Sequence, residues 1–192
     1  MRTTLLTAIA IAASLPAAGC GSDDDAGSTS TKASGNGTDR AFVAEMIPHH
    51  ESAVEMAEIA AQRAESPFVK DLAADIARTQ KQEIATLRSE DEALEAAGVE
   101  PGSLGVPAHL TGMHDDAGDL RGAKPFDEAF LAMMIPHHEG AVTMAKAQLE
   151  KGGDPELKAL AEDIIRAQER EIAQMQEHLG DPGAEHGAGH SG

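Results

Sequence analysis

Two copies of a six-residue stretch, Met-Ile-Pro-His-His-Glu, hold the side chains best suited to chemistry in this sequence. The first begins at Met46 and the second at Met134, 88 residues later. Each copy supplies one thioether and two imidazoles, and a further methionine follows at Met56 and Met144. Thioether and imidazole together favour soft metal ions, above all Cu(I), with Cu(II) and Ag(I) as related ions.

The similarity extends beyond these stretches at the same offset. Residues 39–57 and 127–145 are identical at 14 of 19 positions, and residues 70–87 and 158–175 at 10 of 18. A constant offset across two blocks is the signature of an internal repeat. The sequence therefore predicts one duplicated unit of two helices.

Capping signals mark the ends of four predicted helices. The second and the fourth helix each begin with a cap residue followed by proline. Short turns within each pair make the two helices antiparallel. We predict an all-α four-helix bundle made of two duplicated antiparallel hairpins with pseudo-two-fold symmetry. The predicted helices run from Thr38 or Asp39 to about Glu65, from Ser66-Pro67 to about Ala97, from Pro125 or Asp127 to Gly152-Gly153, and from Asp154-Pro155 to just before Gly180.

The N-terminal segment predicts export. Arg2, an apolar run and a small-residue site precede Cys20, the single cysteine, and the run is too short to span a bilayer. The segment resembles a bacterial lipoprotein signal, which implies an extracytoplasmic protein anchored to the membrane by a lipid on Cys20; ordinary secretion with a free thiol is the alternative. The predicted segments are a signal peptide (1–19), a disordered tether (20–38), the first repeat (39–97), a connection (98–124), the second repeat (125–180) and a Gly/His-rich tail (181–192).

The paired histidines lie beside the apolar face of each predicted first helix. At 100° per residue, His49 and His50 fall roughly 40–60° on either side of the centre of that face, and the second pair repeats this. Polar residues also fall inside the apolar face of the second helix of each repeat. A buried carboxylate is costly unless a cation, a donor or a metal compensates it. The candidates for ligands or for partners of the ligands are therefore Gln80, Glu83, Gln168 and Glu171.

Composition excludes several function classes. The net charge of −18 argues against nucleic-acid binding, which needs clustered basic residues. The predicted bundle holds no cysteine, so a thiolate zinc site or an iron–sulfur cluster is excluded. A di-iron site is disfavoured because Glu-x-x-His is absent and the interior glutamates are too few.

The doubled signature Phe-x-x-x-Met-Ile-Pro-His-His-x-x-Ala-x-x-Met-Ala resembles the domain-of-unknown-function 305 family over residues 39–179. The resemblance implies an exported bacterial protein with a ferritin-like bundle. Some family members bind copper outside the cytoplasm through Met and His and are associated with copper tolerance. Carried over by position, the implied metal ligands are Met46, His49, His50 and Met56 in the first copy and Met134, His137, His138 and Met144 in the second.

We therefore expect a membrane-anchored protein that buffers, carries or confers tolerance to copper, with no catalytic constellation and thus no enzymatic activity. A copper-handling partner protein or a homodimer is compatible with this function. One alternative is a metal-dependent redox enzyme or hydrolase with Glu83 or Glu171 as proton acceptor. Another is a helical interaction module without metal, sensing pH through its paired histidines. Outside the motifs, a His-rich tail can collect Cu(II), Ni(II) or Zn(II), or its histidines are incidental; these outlying residues are His109, Met113, His114, His178, His186 and His190.

Overall fold

The computed structural model describes residues 35–113 and 117–180. The predicted signal peptide, Cys20, most of the tether, His114 and the tail histidines lie outside the described residues. Within them the chain forms four α-helices and no strand, which confirms the predicted all-α fold. The helices are α1 (Gly37–Arg63), α2 (Pro67–Ala96), α3 (Phe126–Lys151) and α4 (Pro155–Gly180), with short 3₁₀ turns at Ala108–Leu110 and Ala117–Arg121.

Side-chain caps explain where three of the helices begin. The Asn36 side chain accepts hydrogen bonds from the backbone amides of Thr38 and Asp39, and the Asp39 carboxylate accepts one from the backbone amide of Asn36. This capping box starts α1 before the predicted Thr38 or Asp39. Ser66 and Asp154 cap α2 and α4 directly before a proline, as predicted.

The helices pack as two hairpins joined through their first members. α1 packs on α2, α3 packs on α4, and α1 also packs on α3. One apolar cluster contains Met46 from the first half of α1 and Met144 from the second half of α3. A second cluster contains Met56 and Met134, from the opposite halves. α1 and α3 therefore run antiparallel, and their histidine pairs lie between the two clusters.

A reciprocal pair of carboxylates joins the two repeats at their ends. Asp39 accepts hydrogen bonds from the amides of residues 153–154, in the turn between α3 and α4, at 2.8 and 3.2 Å. Asp127, its equivalent in the second copy, accepts from the amides of residues 65–66, between α1 and α2, at 3.0 and 2.7 Å. Each repeat thus secures the hairpin turn of the other. α3 begins after Pro125 without a side-chain cap, and Asp127 is the second residue of the helix.

Pro48 and Pro136 lie inside α1 and α3, each directly before a histidine pair. A proline lacks the N–H that closes a helical hydrogen bond, which costs about 3 kcal/mol in a helix interior. Both helices continue through the proline, so packing of the two halves offsets this cost. No helix in the described part of the chain is both long enough and apolar enough to cross a membrane.

Candidate metal centre

His49 and His137 meet where α1 crosses α3. Their ring centroids are 3.9 Å apart, and the ring planes are inclined by 40°. Only 1% of His49 and 3% of His137 is exposed. The duplicated motif therefore places one imidazole from each repeat in contact in the interior of the bundle.

The second histidine of each motif contacts the glutamate that sequence reasoning places in the core. The Nε2 atom of His50 is 2.8 Å from a carboxylate oxygen of Glu83, and that of His138 is 2.7 Å from Glu171. The His138 contact has hydrogen-bond geometry, whereas the His50 contact is at ion-pair distance but out of line for a hydrogen bond. Both histidines are fully buried. The imidazoles thus compensate the two interior carboxylates.

The acceptors around these rings determine which nitrogen lone pair remains available. His49 donates its Nε2–H to the carbonyl oxygen of Thr111 at 2.9 Å, since a carbonyl can only accept. The Glu171 carboxylate places the proton of His138 on Nε2 in the same way, whereas the contact of His50 with Glu83 lacks hydrogen-bond geometry. In all three rings Nδ1 is buried and lacks a hydrogen-bond partner among the described residues. For His137 this holds for both ring nitrogens.

Burial keeps the two central histidines neutral. Desolvation, followed by the nearby His50, lowers the pKa of His49 from its ordinary 6.5 to about 3. Desolvation and the nearby His49 also hold the pKa of His137 far below its ordinary value. A neutral imidazole keeps a lone pair, which is the form that binds metal ions. No proton must therefore leave these rings before they can act as ligands at neutral pH.

The four methionines of the motifs are all buried, with at most 2% exposed: Met46, Met56, Met134 and Met144. They do not group by repeat. Met46 lies in one apolar cluster with Met144, and Met56 lies in the other with Met134. Because α1 and α3 are antiparallel, each side of the histidine centre receives one motif thioether from each repeat, and Met175 of α4 also lies in the cluster with Met56 and Met134.

Two buried amides add further polar groups to the interior. Gln80 and Gln168 are 2% exposed, and their amide nitrogens and oxygens find no hydrogen-bond partner within residues 35–113 and 117–180. Each precedes an interior glutamate by three residues, which places the two side chains on the same face of the helix. An unsatisfied buried amide costs about 1–3 kcal/mol. A bound ion or its water could relieve that cost.

The ligand chemistry favours a soft ion. Nowhere in the described ranges do three or more His, Cys, Asp or Glu side chains form a group able to hold one metal ion. The buried thioethers on either side of the imidazoles supply the donors that Cu(I) and Ag(I) prefer.

Of the other predicted histidines and methionines, the structure describes His109, Met113 and His178. His109 is exposed in a 3₁₀ turn, and 46% of Met113 is exposed. His178 stacks on Phe68 with ring centroids 4.3 Å apart. The group that sequence reasoning missed is the Thr111 carbonyl. A backbone oxygen in an irregular connection has no sequence signature, so only the neighbouring glycines hint at it.

The fold and the centre define a class of duplicated helical bundles with an interior of imidazoles and thioethers. The chain belongs to the family described as Domain of unknown function (DUF305), whose profile matches residues 39–179. It is similar to CopM solved in the Cu(I)-bound form, at 35% identity over 74% of this chain and 95% of that one, with a TM-score of 0.62. The Cu(II)-bound form of CopM gives 38% identity over the same shares of the two chains and a TM-score of 0.64.

Two further relatives extend the comparison. A DUF305 protein of Streptomyces coelicolor is 31% identical over 81% of this chain and 98% of its own, with a TM-score of 0.66. The uncharacterised protein L153 of Acanthamoeba polyphaga mimivirus is 47% identical over 49 residues, which are 26% of this chain. That match spans only 32% of the viral protein.

Proposed function

We propose that this protein binds copper, chiefly as Cu(I), in the centre between the two repeats and serves as a buffer or carrier without turnover. The observation that carries the proposal is the contact between His49 and His137, whose buried lone pairs have no protein donor within the described structure. Copper is the cargo here. CopM, a relative solved with Cu(I), Cu(II) and Ag bound, supports the choice of ion.

Each group of the centre has a distinct part in holding the ion. His49 and His137 are the central imidazole ligands, and the buried methionines provide thioethers on either side. Glu171 accepts the Nε2–H of His138 so that Nδ1 keeps its lone pair, and Glu83 lies beside the same nitrogen of His50. Such carboxylate partners orient a ligand and raise its basicity. The apolar clusters exclude water, which suits a weakly hydrated soft ion.

We also propose that the protein works outside the cytoplasm, tethered by a lipid on Cys20. The support is the signal-like N-terminal sequence, in which a short apolar run ends at the single cysteine. A Cys20→Ser variant should move from the membrane fraction to the soluble fraction. If it stayed with the membrane, the tether would have another basis.

The ligand set is tested by competition for Cu(I) against a chromophoric chelator under anaerobic conditions, using the full chain. A His49→Ala/His137→Ala double variant should lose at least about 100-fold in affinity, since even removing partners of ligands costs 10–100-fold. His178→Ala, which removes a histidine that stacks on Phe68 and not on the central pair, is the control. Circular dichroism would verify that both variants keep their helices. Full affinity in the double variant would rule out this centre.

A further inference from the structure

Residues 108–113, called the covering segment below, pack against α3 at the second histidine motif. A Cβ atom on Gly112 would collide with the carbonyl oxygen of Pro136, and one on Gly140 with that of Thr111. Gly112 also has a φ of +72°. Two glycines, one on each side, are therefore required for this close approach of two backbones.

The close approach delivers a backbone carbonyl to a histidine of the other repeat. The Thr111 oxygen accepts the Nε2–H of His49 from α1 at 2.9 Å. His137, the equivalent residue on α3, has neither ring nitrogen bonded to a partner in the described part of the chain. Two histidines that are equivalent in sequence are thus unequal in structure.

The sequence carries one difference that matches this asymmetry. The two motifs are identical through Glu51 and Glu139, and the next residue is Ser52 in the first copy but Gly140 in the second. Ser52 is half-buried and keeps its side chain, whereas a side chain at Gly140 would meet the covering segment. This position therefore distinguishes the repeat that accepts the covering segment, because only a glycine there leaves room for Thr111.

We propose that Gly140 and the Thr111 carbonyl are positioning groups that make the two central histidines unequal ligands, so that His137 takes the first soft cation. His49 then joins through Nδ1, with its Nε2–H kept on Thr111. This inference rests on the proposed function. Its physical reason is that His137 can offer either nitrogen without breaking a protein hydrogen bond. Ligation also gives a partner to one of the two buried, unpaired nitrogens of His137.

The first arm of the test needs no metal. Long-range ¹H–¹⁵N NMR on the full chain, with ¹⁵N-labelled histidine, should show His49 as the Nε2–H tautomer. Gly140→Ala should displace Thr111 and remove that fixed signal. Gly122→Ala and Ser52→Ala are the matched controls, because a Cβ on Gly122 meets nothing within 4 Å and Ser52 is the equivalent position in the first repeat. An unchanged His49 signal in Gly140→Ala would overturn the positioning role.

The second arm uses Ag(I), a soft ion without redox chemistry, added below one equivalent. In the unmodified protein the His137 ring nitrogens should shift before those of His49. In Gly140→Ala the two should shift together. If His49 responds first or simultaneously in the unmodified protein, the proposed order is wrong, and this result does not depend on whether the variant folds. If no histidine responds to Ag(I), the proposed function fails, while the metal-free arm still decides the positioning role.

Discussion

The glutamates beside the outer histidines set the chemistry of the centre at the scale of single residues. Glu83 and Glu171 contact buried imidazoles at 2.8 and 2.7 Å, although both come from the second helix of their repeat. The same two carboxylates were conspicuous in the sequence because they interrupt an apolar face. Their position could be predicted from periodicity, whereas their partner could not, because periodicity does not determine which helices face each other.

We predict that Glu83→Gln/Glu171→Gln weakens Cu(I) binding by about 10–100-fold, because an amide is a poorer acceptor and orients the imidazole less firmly. Competition against a chelator measures the change. Glu51→Gln is the control, since that side chain is half-exposed and pairs with Arg88 at the surface. If the unmodified protein, the double variant and the control bind Cu(I) with equal affinity, the carboxylates only serve as polar partners of the buried imidazoles.

A second residue-scale prediction concerns pH and the metal-free protein. Burial lowers the pKa of His49 to about 3 and also depresses that of His137, whereas in the unfolded chain both return to 6.5. Below 6.5 the unfolded state binds more protons, so the free energy of unfolding should fall as pH drops from 6.5 towards 3. The slope approaches about 1.4 kcal/mol per pH unit for each histidine.

Urea unfolding at several pH values in this window measures the slope. His137→Gln cannot titrate, so its stability should depend less steeply on pH than that of the unmodified protein. The other titrating groups are unchanged in the variant and cancel in the comparison. Identical slopes for the two proteins would contradict the neutral state assigned to His137.

At the scale of helices, capping residues determine where a helix begins, and packing contacts determine which helices lie side by side. Ser66-Pro67 and Asp154-Pro155 predicted the start of α2 and α4 because a cap acts within one turn. The antiparallel packing of α1 on α3 depends on contacts between distant residues, so it could not be predicted from local signals. For the same reason, the pairing of Met46 with Met144 emerged only from the structure, and Asp127 is a link between repeats rather than a cap.

We predict that Asp39→Asn and Asp127→Asn each lower the free energy of unfolding by about 2–3 kcal/mol, since each replaces a charge-assisted acceptor of buried backbone amides. Urea denaturation at neutral pH measures this. Asp75→Asn is the control, because its side chain is 67% exposed and pairs with Arg78 on the surface. A loss no larger than that of the control would mean that the links between the repeats contribute little.

At the scale of the molecule, the positions of the motif thioethers follow the pseudo-two-fold symmetry of the two repeats. Each of the two apolar clusters holds one motif methionine from each repeat, on opposite sides of the histidine contact, and the cluster with Met56 and Met134 also holds Met175. The duplicated sequence predicts the symmetry and is compatible with two arrangements, two related sites or one shared central site. The exchange of methionines between repeats favours two donor sets that share the central imidazoles.

We predict that Met46→Leu/Met144→Leu removes one donor set and lowers the number of Ag(I) ions bound tightly per chain by one. Met46→Leu/Met56→Leu removes one thioether from each set. It should therefore weaken Ag(I) binding without lowering the number of ions bound by one. Leucine keeps the volume of methionine and so spares the packing. Elemental analysis after gel filtration counts the ions, and the same count for both variants would contradict two separate sets.

The reciprocal carboxylates have a consequence for the history and engineering of this chain. Each hairpin presents a turn whose amides are satisfied by an aspartate that belongs to the other hairpin, so neither half is complete in itself. Cleavage of the chain between the two repeats would leave the hydrogen bonds of both aspartates intact. Two separately made halves should therefore recognise and complement each other, as two subunits of a dimer would before their genes became fused.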